Sequence, residues 1–476
     1  MGALAAYYVA TMSRDLSLYD SGELALAAAT LGLGHPPGQP LHALLGFLCS
    51  RLPFVNSAFG VNLASALPAA LTLLPATSLA QTLTGHRADE RSLAIVPWLL
   101  AVVATHVEIW EPASRAEVYA IATFFAVWAI ACVMPLFVFA RSPKRARAVV
   151  FRASIALGLS ASANPMIAIV AALAITPALV HGVWKRELPW TLFPRALLGG
   201  AIGLLPYVYL PLTAADPDRF VWGGLHDRAS YVRYLALRDY AHNQSIGRAL
   251  WLEHVGLWFA WAARHLILPW LAFGLAGHAR ARYRIASAHL IAIGSFAILL
   301  AFISSNVIWH LDVPDYNGYM ASAYWLLLAG AGAFFATMLS DDQPIAATAI
   351  ALCTIATIAA APAPWSRTRD RDRLARGLGE QVLHEAPRNA IVIALADHFA
   401  GTLFYLQEVE HARPDVVVLA YGLSGSSWHW EHVQRRHPDL KRAPLRGPGG
   451  RPGRVQRWLA ANGGRPVLVE QLAIAR

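Results

Sequence analysis

Charge is what this sequence has least of. Only 14% of its 476 residues are Asp, Glu, Lys or Arg, against 56% hydrophobic, and the mean hydropathy is +0.43. That shortage excludes an ordinary soluble chain, in which roughly 25% of residues are charged. Cysteine is scarce as well: Cys49, Cys132 and Cys353 stand alone in apolar stretches, with no CxxC pair. A disulfide framework and a thiolate zinc site are thereby excluded, and the three read as small buried apolar residues. Residues 1–12 lack a basic n-region and a small-residue cleavage site, so no cleavable signal peptide is expected. They read as the end of a membrane helix, covering about 18 Å of a roughly 30 Å hydrocarbon core. No internal repeat of the kind that marks many transporters is visible.

What the sequence has in abundance is apolar runs: 57–83, 93–107, 118–140, 153–184, 195–213, 252–277, 287–305, 319–339 and 345–361. Each is long enough to span, or nearly span, a bilayer. The run 153–184 is too long for one upright helix and carries Asn164-Pro165 at its middle, where proline removes a donor and restricts the residue before it. Read as two spans, it brings the expected total to about eleven. The formal charge of +10 comes from short arginine clusters between these runs. That placement points to topology rather than to a nucleic-acid surface. Arg141, Lys144, Arg145, Arg147 and Arg152, then Lys185, Arg186 and Arg195, then Arg280, Arg282 and Arg284, all fall on one side of the same topology, the cytoplasmic one. The loops left outside hold Asp15, Asp20, Glu23, Glu108, Glu111, Glu117, Asp216, Asp218, Asp312 and Asp315.

Composition shifts at Pro362 and Pro364 into a charged run from Arg367 to Arg376. A membrane domain over 1–362 and a small extracytoplasmic α/β domain over 363–476 are expected. In the latter, 389–396 and 415–423 read as strands flanking a helix from Phe399 to Glu410, a βαβ unit, followed by a helix over 454–462 and a strand over 466–470.

The candidate chemistry lies in the outside loops. Asp20 and Glu23 stand three apart at the start of a helical pattern, so one face can present both carboxylates. A carboxylate partly desolvated at a membrane surface can take a proton from an acceptor hydroxyl. The local alternative is that Asp20 is an N-cap and Glu23 its capping-box partner. GHPPGQP, residues 34–40, fixes a rigid turn, in which His35 either faces the site or hydrogen-bonds the turn. In EIWEPASRAEVY, residues 108–119, Glu111, Arg115 and Glu117 lie near the bilayer surface, and Arg115 can meet a phosphate or either acid. Tyr119 and Trp110 read as interface anchors, with Tyr119 also a candidate ligand. Arg233, Arg238 and Tyr240 in the longest outside loop are candidate phosphate contacts, or lipid-headgroup contacts. His429 and His432, in HWEH, lack a third ligand at a recognisable spacing, and no metal is assigned to them.

Taken together, YDSGEL, GLGHPPGQPL, NLASAL, AEVYAI, GLSASANP, LPYVYLPL with DPDRFVWGG, and LADHFAGTLFYLQEVEHARPDVVVL resemble a bacterial membrane family long carried as a domain of unknown function. Its animal relative is the endoplasmic-reticulum O-mannosyltransferase of plexin-type receptors. The resemblance runs from about Tyr19 to Gly422. It implies the GT-C architecture, an outer-face active site, a polyprenyl- or dolichyl-phosphate sugar donor and inversion at the anomeric carbon. It further implies that Asp20 is the motif acid with Glu23 its companion, that His35 belongs to the HPPG turn, and that Glu117 is the acid of AEVY. A divalent cation is possible under this reading. The expected partners are the bilayer, a polyprenyl-phosphate-linked sugar and a protein or glycan acceptor, without nucleic acid. The competing classes are a transporter or lipid-linked-sugar flippase and a noncatalytic assembly protein.

Overall fold

The computed structural model describes residues 1–139, 142–238, 248–283, 285–304, 315–360, 364–442, 444 and 447–470. It is mostly helical, with one three-stranded sheet near the C-terminus. Among the described residues five helices are long and apolar enough to cross a membrane: Ser57–Thr84, Tyr119–Val138, Pro143–Ala163, Pro165–Trp184 and Gly318–Ser340. Three bent pairs raise the number to 8 if each pair is one span, and three shorter apolar helices, Pro40–Ser50, Leu290–Leu300 and Pro344–Ala359, accompany them. The chain is an integral membrane protein of the polytopic α-helical class.

The 153–184 run does divide at Asn164. Its side chain accepts from Met166 N at 3.0 Å and Ile167 N at 3.4 Å, capping the helix that Pro165 opens. Other breaks differ from expectation. The run 252–277 is not one straight helix: it turns through 102° between Leu252–Arg264 and Leu268–Arg280. Leu266, at φ 58, provides the turn. The 93–107 run bends by 75° after Val103. Lys144, Arg145, Arg147 and Arg152 do not form a loop but lie in the helix Pro143–Ala163. Glycines bring helices together where a side chain would not fit, as in membrane packing generally: a methyl on Gly158 would stand 2.6 Å from Gly200 O.

Among the basic connections Arg280 reaches Asp341 at 3.7 Å, His86 lies on Phe139 with centroids 5.0 Å apart, and Arg147 donates to Thr191 Oγ1 at 3.4 Å. The acidic loops gather against one another. There Ser13 N donates to Ser114 O at 2.7 Å, and Tyr209 Oη donates to Gly32 O at 2.8 Å.

The C-terminal unit sits against these acidic loops. A helix, Pro364–Glu385, leads into strands β1 (Ile391–Ala394), β2 (Val417–Ala420) and β3 (Val467–Val469), parallel and ordered β2-β1-β3. All residues of β1 and β2 are buried, which is why both read as unbroken apolar runs. The helix Asp397–Glu408 connects β1 to β2 and packs on the helix Ser21–Thr30. Close approach there depends on glycine: a methyl on Gly22 would stand 2.8 Å from Thr402 N, and one on Gly401 would stand 2.9 Å from Glu23 N. Phe220 and Trp222 of the long loop pack on Phe404 and Trp428, sealing this seat with aromatic contacts 5.1 to 5.9 Å between centroids. The expected division at 362/363 lies outside the described residues.

Candidate active site

Tyr19, Asp20 and the helix they open lie at the centre of the acidic loops. Tyr19 has a positive φ of 63, which turns the chain sharply into the helix Ser21–Thr30. The capping-box alternative does not hold: Asp20 is the N-cap residue, yet its side chain makes no cap hydrogen bond. Its carboxylate faces the His35 ring instead, with Oδ2 3.8 Å from Nε2, and the Asp20 side chain is 45% exposed against 20% for Glu23. Glu23 is committed inward. Its Oε1 accepts from the His35 backbone N–H and lies 3.2 Å from His35 Nδ1. Gln39 Nε2 stands 3.2 Å from His35 Nε2. Both readings of His35 are therefore realised in one geometry: it is bonded into the turn, and it faces Asp20.

The turn is gripped from outside. Tyr234 Oη donates to Gly34 O. A methyl on Gly38, at φ 87, would stand 2.8 Å from that same Oη. Leu33 forms an isolated parallel bridge with Val221, its N–H donating to Phe220 O at 2.8 Å.

Arg115 and Glu117 form the second part of the site. Each side chain is 1% exposed, and Arg115 Nε lies 3.3 Å from Glu117 Oε1. The guanidinium lies over the Tyr19 ring, 5.1 Å from its centroid. Two predicted clusters thus meet through Tyr19, and Arg115 pairs with Glu117. Ser65 fixes the backbone there, donating to Glu117 O at 2.7 Å and accepting from its N–H at 2.9 Å.

Other predicted residues fall elsewhere. Tyr119 and Trp110 are not interface anchors. Tyr119 is 5% exposed and packs edge-on to Tyr319 at 5.0 Å, and Trp110 donates to Thr11 Oγ1 at 2.8 Å from a buried position. Their apolar area is more useful inside the bundle than at its rim. Glu111 is buried in a short turn whose carbonyl accepts from Ser114 N at 3.1 Å. Glu108, also buried, lies 3.5 Å from His265 at the break of the 102° pair. Arg233 is exposed on the helix Arg228–Leu235 next to Tyr234, donating to Gly223 O at 3.3 Å. Arg238 is exposed; Tyr240 and Asp312 lie outside the described residues. His429 is a structural histidine, its Nε2 accepting from Ala420 N at 3.2 Å. His432 lies 3.4 Å from Glu408. Among the described residues no group of three or more His, Cys, Asp or Glu is spaced to hold a metal ion.

Two contacts from the C-terminal unit were not anticipated. Arg376 joins Asp15 at 2.9 Å and Glu410 at 2.7 Å. Asp372 accepts from Arg14 N at 2.7 Å and from Ser13 Oγ, and burial pushes its carboxyl up to about 6. Asp397 begins the helix that packs against Gly22, and burial, then the Glu23 charge, raise its pKa. A carboxylate at the carboxyl end of a parallel strand is the signal in LADHF that would have found it.

Residues 20–187 match the family model described as the Protein O-mannosyl-transferase TMEM260 N-terminal domain. Over that segment the chain is similar to the family. The mouse Protein O-mannosyl-transferase TMEM260 is 25% identical over 468 residues, 92% of this chain, and the chain spans 64% of that relative's length. Among solved structures, apo ArnT from Cupriavidus metallidurans superimposes with a TM-score of 0.59 at 15% identity, covering 92% of this chain and 87% of that one. The same protein bound to undecaprenyl phosphate gives 0.57 at 11% identity, with the same coverage of 92% and 87%. The chain shares the fold of ArnT.

Proposed function

We propose that the chain is a membrane glycosyltransferase that moves a hexose, mannose by its resemblance, from a polyprenyl-phosphate donor to a hydroxyl of a protein or glycan acceptor. The reaction takes place at the extracytoplasmic face of a bacterial inner membrane, where the C-terminal unit also lies, and it inverts the anomeric carbon. The observation that carries this reading is Asp20: a helix-opening carboxylate that does not cap its helix, stays the more exposed of its pair and faces His35. The similarity to an enzyme named as an O-mannosyl-transferase and to a fold solved with undecaprenyl phosphate supports the class of reaction and of donor.

In this mechanism Asp20 removes the acceptor hydroxyl proton as the oxygen attacks the anomeric carbon. The bond from that carbon to the phosphate oxygen breaks, and the polyprenyl phosphate departs with the electron pair. Phosphate is a good leaving group, so a second carboxylic acid is not required, unlike in glycoside hydrolysis. Glu23 holds the His35 turn and through it the direction of Asp20. Arg115, already neutralised by Glu117, orients Tyr19. Arg233 and Arg238 are the exposed cations that would meet the departing phosphate. The isoprenoid remains in the bilayer, which keeps the phosphate at headgroup depth beside these loops.

The test is reconstitution of the purified chain in liposomes with polyprenyl-phosphate mannose and a hydroxyl-bearing acceptor, followed by assignment of the product's anomeric configuration. Transfer with inversion is expected. Retained configuration contradicts the mechanism, and movement of the intact lipid-linked sugar between leaflets without transfer establishes the flippase alternative.

A further inference from the structure

The three parallel strands of the C-terminal unit all end at one edge, where α/β sheets commonly bind ligands because loops and helix N-termini converge there. That edge carries Asp397 beyond β1, Tyr421 and Gly422 beyond β2, and Glu470 beyond β3. It is rigid: the Glu470 carboxylate accepts from both Leu395 N (2.5 Å) and Ala396 N (3.1 Å), locking the turn that delivers Asp397. Asp397 and Gly401 are one helical turn apart on the same face. Gly401 is where that face meets the backbone of Glu23, at 2.9 Å from an added methyl. Asp397 therefore stands on the helix face that meets Glu23, its carboxylate beside Gly422 and partly open to solvent. Desolvation by its surroundings, then the Glu23 charge, raise its pKa, which agrees with two carboxylates sharing one opening. Arg451, over the Tyr421 ring at 5.9 Å, is a cation on that edge.

We propose that Asp397 is an acceptor-positioning residue: its carboxylate accepts a hydrogen bond from the acceptor and holds the nucleophilic hydroxyl beside Asp20. This rests on the reading of Asp20 as the base. Asp20, Glu23 and Asp397 together repel an anionic acceptor, so the class selected is a neutral or basic hydroxyl-bearing segment. The C-terminal unit then contributes substrate selection to the site rather than only covering it.

Gly422 provides a second route to the same test, because a methyl there would collide with Asp397 Oδ1 and push the carboxylate aside without removing it. The experiment measures transfer by the full chain in detergent from polyprenyl-phosphate mannose to a neutral threonine-rich peptide, varying each substrate in turn. Asp397→Asn and Gly422→Ala are each expected to raise the peptide KM about tenfold, with donor KM and kcat at saturating peptide within about twofold of the parent. Asp397→Glu recovers part of the loss, and an aspartate-rich version of the peptide is a poor acceptor for the parent chain. Peptide KM unchanged in both Asp397→Asn and Gly422→Ala overturns this inference and leaves Asp20 in place. Full transfer by Asp20→Asn overturns the base on which it rests, and absence of transfer by the parent chain to the neutral peptide counts against both.

Discussion

At the residue scale, the site turns on which carboxylate is committed to structure and which is left to chemistry. Glu23 and Asp20 are three residues apart and locally equivalent, yet Glu23 is bonded to both the backbone and the ring of His35, whereas Asp20 faces that ring at 3.8 Å and is the more exposed of the two. Glu23→Gln therefore weakens the turn while leaving the base, and kcat/KM for transfer should fall about tenfold, the usual scale for a residue that orients another. A fall as large as that from removing Asp20 would make Glu23 catalytic in its own right. Arg115 and Glu117 behave differently because both are 1% exposed. Arg115→Met removes the cation beside a buried carboxylate, a change that costs about 3–5 kcal/mol. The expected result is a marked drop in thermal unfolding temperature in detergent, together with loss of activity; an unchanged melting curve contradicts the buried pair. The motif acids and the HPPG turn were legible because their chemistry is local. The absence of an Asp20 cap was not, since the carboxylate turns to His35 across the intervening helix, and neither was the seat of Arg115 on Tyr19, which joins segments about a hundred residues apart.

At the element scale, the seat of the C-terminal unit is a contact between two helices that glycine makes possible. Gly22→Val would drive a branched side chain into the backbone of Gly401 and Thr402, which an added methyl already approaches at 2.9 and 2.8 Å. Overpacking of this kind costs about 1–3 kcal/mol. Limited proteolysis after Pro364 should become faster in this variant, and an unchanged rate would mean the helices are held elsewhere. The neighbouring helix Pro364–Glu385 adds a pH-dependent contact through Asp372. Its folded pKa, raised by burial from 3.8 to about 6, means that its contribution to stability is full below about 3.8 and is lost as pH rises through about 6. Melting in detergent at pH 4.5 and pH 7 should show this dependence in the parent chain and a flatter one in Asp372→Asn; equal slopes contradict it. Proline and asparagine made the division at residue 164 readable. The 102° turn after Arg264 was not, because Leu266 at φ 58 has no residue-type signature and continuous apolar sequence conceals a change of direction. The βαβ unit was read within a few residues at each end, since fully buried strands and an amphipathic helix carry distinct periods.

At the scale of the whole molecule, basic and acidic connections alternate along the sequence, an order expected to set them at opposite membrane faces. This polarity follows from two independent costs: a charge in hydrocarbon is expensive, and lysine and arginine are retained on the cytoplasmic side. About eleven spans were expected; the described residues include 5 helices long and apolar enough to cross, up to 8 with the bent pairs, and three shorter apolar helices beside them. Cysteine-accessibility labelling in intact cells should modify positions between Tyr19 and Pro40 from the extracytoplasmic side and those near Arg186 only after permeabilisation; the reverse pattern removes the lipid-linked donor from reach. The most direct measurement is the turnover of Asp20→Asn, folded and reconstituted beside the parent chain, at saturating polyprenyl-phosphate sugar and acceptor. A fall of about 10²- to 10⁴-fold in kcat with an unchanged unfolding temperature is predicted for loss of a general base; parent-like turnover would contradict it.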